Sequence, residues 1–169
     1  MVSAIVYLSK TGSAKRYAEL LSEALKVPAY ALENAPEIDG KIIYLGWALA
    51  RKTSGLPKAR KKYDLAAVVQ VGMSPAYPER IEEWRKANEL SPDVAFFCVQ
   101  GAFDMGKLSG PSRLIMKKAC KDMIETFGAI KEERELSPQE NAIFEMAKNG
   151  KGEPPAWDVS KIVGYFTES

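Results

Sequence analysis

Apolar runs of strand length recur along the chain at 3–8, 28–32, 41–47, 65–71 and 94–100, with polar, helix-patterned or loop segments between them. Short continuous runs of this kind fit strands buried on both faces. Between them the period changes: from Tyr17 the apolar residues fall at 17, 20, 21, 24 and 25, the spacing of one helix face. Helices are predicted at 13–26, about 55–62, 77–90 and 111–127. In the last, apolar residues at 116, 119, 120, 123 and 127 form a stripe that puts Cys120 in the core. This alternation predicts an α/β three-layer sandwich, a five-stranded parallel sheet of order 2-1-3-4-5 with helices on both faces and right-handed crossovers. Pro28 cannot donate to a central ladder, which sends the second strand to an edge. Asp39-Gly40 is a turn leading into KIIYLGW, and the span 33–40 is too short for a full helix, so the second crossover is predicted to be abbreviated.

Beyond residue 127 the pattern thins. KEERE (131–135) is a solvated charge run, SPQENAIFEMAK a short helix capped by Ser137 with Pro138 at its first position, and NGKGEPP a loop. WDVSKIVGYF is predicted to be a closing helix, with Trp157, Ile162, Val163 and Phe166 available to pack. The reading is one domain over 1–169, with 128–169 as a C-terminal helical extension that returns onto the sheet. With 46% hydrophobic and 27% charged residues, the composition is that of an ordinary globular domain. No apolar run approaches the ~20 residues needed to span a bilayer. The start, MVSAIVYLSK, lacks a basic opening and runs straight into strand pattern, so it is not expected to be a signal peptide. Cys98 and Cys120 both lie in apolar contexts and read as buried free thiols, which suits a reducing, cytoplasmic location. The sequence has no histidine, which excludes a His-based triad or base, and it has no clustered cysteines to favour zinc or redox metals.

Chemistry enters at the first strand–helix junction. Ser9, Lys10, Thr11, Gly12 and Ser13 form a hydroxyl-rich turn between a buried strand and an amphipathic helix. The first-turn N–H groups of such a helix, its dipole and nearby hydroxyls suit a phosphate, although Ser and Thr also cap helices with no ligand present. It is not a P-loop, since no G-x-x-x-x-G-K-[ST] run exists, and Gly12 stands alone rather than in G-x-G-x-x-G. The run S-K-T-G-S-A resembles the phosphate loop of flavodoxins, S/T-x-T-G-x-T, which cradles the FMN monophosphate. Ser9, Thr11 and Gly12 match; Ala14 replaces the last Thr, and Ser13 offers a neighbouring hydroxyl. The resemblance implies a flavodoxin-like fold and FMN as cofactor, held by Ser9, Lys10, Thr11, Gly12, Ser13 and Ala14.

In such sheets the ligand lies beyond the carboxyl ends of the strands, near the switch point between strands one and three. Loops 9–14, 46–55 and 72–77 are predicted to converge there. Gly46 and Gly72 follow apolar strands, where bare backbone permits close approach to a ring. Trp47, Ala48, Leu49, Met73 and Tyr77 complete the candidate ring site, with Trp47, Met73 and Tyr77 as flat or soft cover for an isoalloxazine. The alternative for Trp47 is a cap on the core with no ligand role. Arg51 or Lys52 is placed near the pyrimidine edge, where flavin reduction puts negative charge. A second segment, GAFDMGKLSGPSRLIMKK (101–118), resembles the stretch after the last strand in flavodoxin-domain proteins related to menaquinone-dependent protoporphyrinogen oxidase. Gly101, Asp104, Leu108 and LIMKK at 114–118 match, and Met105 stands where an aromatic is usual. Relatives carry G-x-x-I-Y-x-G after the third strand; here GWALARK keeps the Gly and an aliphatic at 49 but has Ala50 for the Tyr and Lys52 for the second Gly.

The net charge is +2 with pI about 8.4, unlike the strongly acidic flavodoxins that dock onto basic partners, so the long-range field of such a shuttle is missing. Arg51, Lys52, Lys58, Arg60, Lys61 and Lys62 fall within twelve residues that hold no acid, a solvated face or a docking surface. No aromatic interleaving accompanies this run, so nucleic acid is not an expected partner. The resemblance implies an FMN-binding redox protein, an electron carrier or an FMN-dependent oxidoreductase, with a small-molecule or protein redox partner and no membrane span. Ala14, Ala50 and Lys52 motivate the alternative, a flavodoxin-like domain that has lost FMN and acts as a binding or regulatory module.

Overall fold

The computed structural model describes residues 1–74 and 77–168. The chain divides into two compact units, one made of Met1–Gly72, Ala76–Val99 and Asp158–Ser169, the other of Met73–Pro75 and Gln100–Trp157.

The first unit holds the sheet. Its elements are β1 (Val2–Leu8), α1 (Ser13–Leu25), β2 (Ala29–Ala31), β3 (Lys41–Leu49), β4 (Lys52–Thr53), α2 (Leu56–Lys62), β5 (Asp64–Gly72), α3 (Pro78–Ala87) and β6 (Ala95–Gln100), the last reaching the second unit at Gln100. The main path runs β2-β1-β3-β5-β6, with the short β4 paired to β3 outside it. Counting only the five long-path strands, this is the order 2-1-3-4-5, and the fold is α/β of the flavodoxin-like kind. β1 lies parallel to β2 and β3, and β3 parallel to β5, with Ile5 opposite Ile43 and Ile43 opposite Ala67. β2 sits at the edge, as its opening Pro28 requires, and no helix intervenes between it and β3.

Each strand sends alternate side chains to opposite faces. Ala4, Val6, Ile42, Tyr44 and Val68 pack with Leu56 and Ala59 of α2 in one buried layer. Ile5, Ile43, Leu45, Ala67 and Val69 point the other way and are also fully buried. α1 packs against β1 and β3 there, inserting Tyr17, Ala18 and Leu21. α6 (Ser160–Thr167) lies beside α1, and its Tyr165 ring meets Phe97 of β6 edge-on at 5.6 Å. Burial, with the Asp158 charge adding to it, pushes the Tyr17 hydroxyl up to about 12.

The second unit contains β7 (Phe103–Asp104), a 3-10 turn at Met105–Lys107, α4 (Gly110–Glu133), α5 (Pro138–Asn149) and β8 (Lys151–Gly152). β7 and β8 form a two-stranded antiparallel sheet. Phe103, Leu108, Cys120, Met146 and Ala147 are its core, so the predicted stripe of α4 does face inward at Cys120. α4 outruns its predicted end by six residues, from 127 to Glu133, and takes in most of KEERE. α5 opens with a full capping box: Ser137 Oγ accepts the Glu140 amide at 3.2 Å and Glu140 accepts the Ser137 amide at 2.9 Å. The bidentate Arg134 guanidinium, 2.8 Å from both Glu140 oxygens, is the largest of the contacts that hold this carboxyl down at about 2.

Candidate functional site

β1 ends at Leu8 beside Gly46 of β3, and the chain turns through Ser9–Gly12 into α1. The Ser9 hydroxyl accepts the Gly12 amide at 3.1 Å and closes the turn on itself. Gly12 has φ 102°, a conformation that side-chain-bearing residues rarely adopt. A Cβ placed there would meet nothing within 4 Å, so backbone conformation and not crowding requires the glycine, and the outer side of the turn is open. The Gly12 carbonyl receives the first helical hydrogen bond of α1 from Arg16 at 3.0 Å. The amides of Ala14 and Lys15 precede that bond and sit at the positive end of a 13-residue helix whose first turn has no acid. Lys10 is exposed and Thr11 half-buried on the turn, whereas Ser13 and Ala14 are already helical and buried. Ala14 can therefore contribute a backbone amide only.

The structure brings the first two predicted loops together through Lys10, whose Nζ lies 5.2 Å from the centre of the half-buried Trp47 ring. It corrects the form of the second. Residues 46–55 are not an open loop: β3 runs on to Leu49, turns at Ala50 and Arg51, and returns as β4, pairing Ala48 with Thr53 and Leu49 with Lys52. Ala50 makes the turn at φ 54°. A Cβ on Gly46 would strike the Ser54 carbonyl and come within 2.7 Å of the Thr53 methyl, so the bare face expected to admit a ring is filled by the hairpin. Gly72 likewise accommodates Ala48, whose Cβ would lie 3.1 Å from an added one. Leu49, 51% exposed, is a large apolar side chain that the hairpin presents to solvent.

A buried polar cluster anchors this hairpin, and no sequence motif announced it. The Asn88 carboxamide accepts the Thr53 amide at 2.7 Å and donates to the Arg51 carbonyl at 2.9 Å and the Trp84 carbonyl at 2.8 Å. Gln70 Oε1 accepts the Thr53 hydroxyl at 2.8 Å and the Asn88 amide at 3.3 Å, while Gln70 Nε2 has no hydrogen-bond partner among the described residues. The Tyr44 hydroxyl donates to the Ser54 carbonyl at 2.7 Å, and burial raises its pKa above the ordinary tyrosine value. Arg51 pairs with Glu83 at 2.6 Å, which compensates the cation expected at a flavin's pyrimidine edge.

Tyr77 is half-buried under the Arg80 guanidinium, 5.6 Å from its ring centre. Met73 is partly buried and packs against the second unit's core of Phe103, Leu108, Cys120, Met146 and Ala147. Pro75 and Ala76 of the predicted third loop lie outside the described residues.

No protein-family model matches the chain, and no curated protein matches it. Among solved structures it is similar to a protein of Bacteroides eggerthii provisionally named a flavoprotein. The match covers 59% of this chain and 87% of that one at 11% identity, with a TM-score of 0.39, too remote to bear on function. No helix among the described residues is long and apolar enough to cross a membrane.

Proposed function

We propose that this chain binds FMN with its phosphate in the turn Ser9–Ala14 and works as a flavodoxin-like redox protein. The observation that carries the reading is the turn itself. It stands at the switch point of a sheet ordered β2-β1-β3, it is open on its outer side at Gly12, and a helix N-terminus with no acid in its first turn lies behind it. The donors suit a phosphate: the Thr11 hydroxyl, the amides of Ala14 and Lys15, and the positive charge of Lys10. Trp47, already under Lys10, is the aromatic that adjoins the turn and can cover a ring. FMN, when bound, supplies the redox chemistry, and the chain's part is to bind, orient and shield it. The weak net charge favours an oxidoreductase over an electron carrier that docks by long-range charge.

The test is reconstitution with FMN, followed by visible absorbance and mass analysis of the released ligand. Thr11→Val removes one hydroxyl at nearly constant volume; a charge-assisted hydrogen bond contributes ~1.5–3 kcal/mol, so affinity should fall about tenfold to a hundredfold. Unchanged affinity would remove this turn from the site. Failure to take up any flavin would favour the cofactor-free binding module, the reading that the filled face of Gly46 and the missing hydroxyl at Ala14 support.

A further inference from the structure

We infer that the N-terminal half of α4 is a docking face for an anionic lipid surface. Two large aliphatic side chains stand out of the second unit side by side, Leu114 at 69% and Ile115 at 59% exposure. Both lie on the face of α4 opposite the buried Cys120 and Phe127. Around them Arg113, Lys117, Lys118 and Lys121 are all exposed, four cations in nine residues that contain no acid. By helical periodicity Lys118 falls between Leu114 and Ile115, and Lys117 and Lys121 flank the Leu114 side. The first acids along the helix are Asp122 and Glu125, and Glu125 stands 4.0 Å from Lys121.

Charge decides the occupant. A second copy of this face would set four cations against four, so self-association through it is disfavoured. A negative surface is the complement, and side-chain type distinguishes the two kinds. Protein interfaces are depleted in lysine and anchored by aromatics and arginine. This face offers three lysines, one arginine, a leucine and an isoleucine. Lysines with aliphatic stems around exposed aliphatic residues are the pattern of helices that lie in a lipid–water boundary, apolar side chains down and ammonium groups at the headgroups. The chain would bind peripherally, the cations drawn to anionic headgroups and the two aliphatic side chains entering the acyl boundary.

Co-sedimentation of the full chain with vesicles tests this. Phosphatidylcholine vesicles containing phosphatidylserine should bind at least about tenfold more tightly than phosphatidylcholine alone, and rising salt should weaken the binding. Lys117→Glu with Lys118→Glu should abolish that preference. Leu114→Ser with Ile115→Ser, positions exposed enough to leave the fold intact by circular dichroism, should weaken binding about fivefold or more. No binding to the anionic vesicles would overturn the proposal. So would a Leu114/Ile115 variant that binds like the unmodified chain, which would reduce the face to plain polycation attraction. Tighter binding to soluble polyglutamate than to the vesicles would also overturn it, in favour of an acidic protein partner.

Discussion

Replacing Asn88 by Ala should cost about 3 kcal/mol, and the figure follows from what its carboxamide holds. Asn88 is 5% exposed, and Thr53, whose amide it accepts, is 3% exposed. A backbone amide can only donate, so the Asn88 oxygen must face Thr53 and its nitrogen must face the carbonyls of Arg51 and Trp84 and the Gln70 oxygen. Truncation leaves the Thr53 amide buried with no acceptor in place, about 1–3 kcal/mol, and loses the bonds of two N–H donors, shared among three acceptors, at about 0.5–1.5 kcal/mol each. At about 2–4 °C per kcal/mol for a chain of this size, the melting temperature should fall about 6–12 °C. Asn88→Asp provides the internal control. It keeps the acceptor for Thr53 but turns a carboxylate towards three acceptors, so near neutral pH it should be less stable than Asn88→Ala. Those acceptors and burial raise the folded-state pKa of that Asp, so its stability should recover on acidification and be lost again as the pH rises through that value. Urea unfolding followed by circular dichroism measures both variants. A loss under about 1 kcal/mol for Asn88→Ala, or an Asp variant stabler than the Ala variant at pH 7, would refute the assignment of this side chain as the hairpin's anchor.

Three further outcomes are expected. Glu140 has its carboxyl lowered from 4.5 to about 2, so its ion-pair stabilisation is complete above pH 4.5 and is lost as the pH falls towards 2; Glu140→Gln should flatten acid unfolding in that window, and superimposable profiles would contradict this. Burial pushes the half-buried Cys98 thiol up to about 12 and raises the buried Cys120 thiol as well, so both should label slowly with a thiol reagent at pH 7 until denaturant is added. Gly46→Ala should destabilise by about 1–3 kcal/mol, because the added methyl meets the Ser54 carbonyl and the Thr53 methyl; a neutral effect in a thermal melt would show that the hairpin can shift aside.

The sheet was legible because its strands are buried on both faces and so appear as apolar runs, and because Pro28 has only one tolerable place, the edge. The turn at 9–12 was legible because glycine and hydroxyl residues there answer a local need, a left-handed residue before a helix. The hairpin was not. Its return strand is two residues long and its turn is Ala50-Arg51, with none of the Asn-Gly or Gly-X chemistry that marks two-residue hairpins. Once the hairpin is missed, Gly46 reads as a vacancy for a ligand when it is a vacancy for Thr53 and Ser54. Asn88 was invisible for a related reason: its partners at 51, 53 and 70 are brought to it by the fold and leave no spacing along the chain. The end of α4 was lost because Lys131, Glu132 and Glu133 have the same polarity on a solvated helix as in a loop.

Charge runs show the same limit from the other direction. The stretch 51–62 holds six cations and no acid, and along the chain it is the most basic segment. Folded, half of it is engaged: Arg51 pairs with Glu83, Arg60 lies near Glu89 and donates to the Asn88 carbonyl, and Lys62 donates to the Ala35 carbonyl at 2.5 Å. The stretch 113–121 has fewer cations, four in nine residues, yet its charges are exposed beside Leu114 and Ile115. Acids distant in sequence, at 83 and 89, pair with two of the six cations of the first run, and α4 has its nearest acids at 122 and 125 on the same helix, past the end of the patch. A basic run therefore points to an anionic partner where most of its cations stay clear of acids and surround exposed apolar side chains, as Arg113, Lys117 and Lys118 do beside Leu114 and Ile115. By that criterion the docking face of this chain is the start of α4 and not the segment that sequence alone would select.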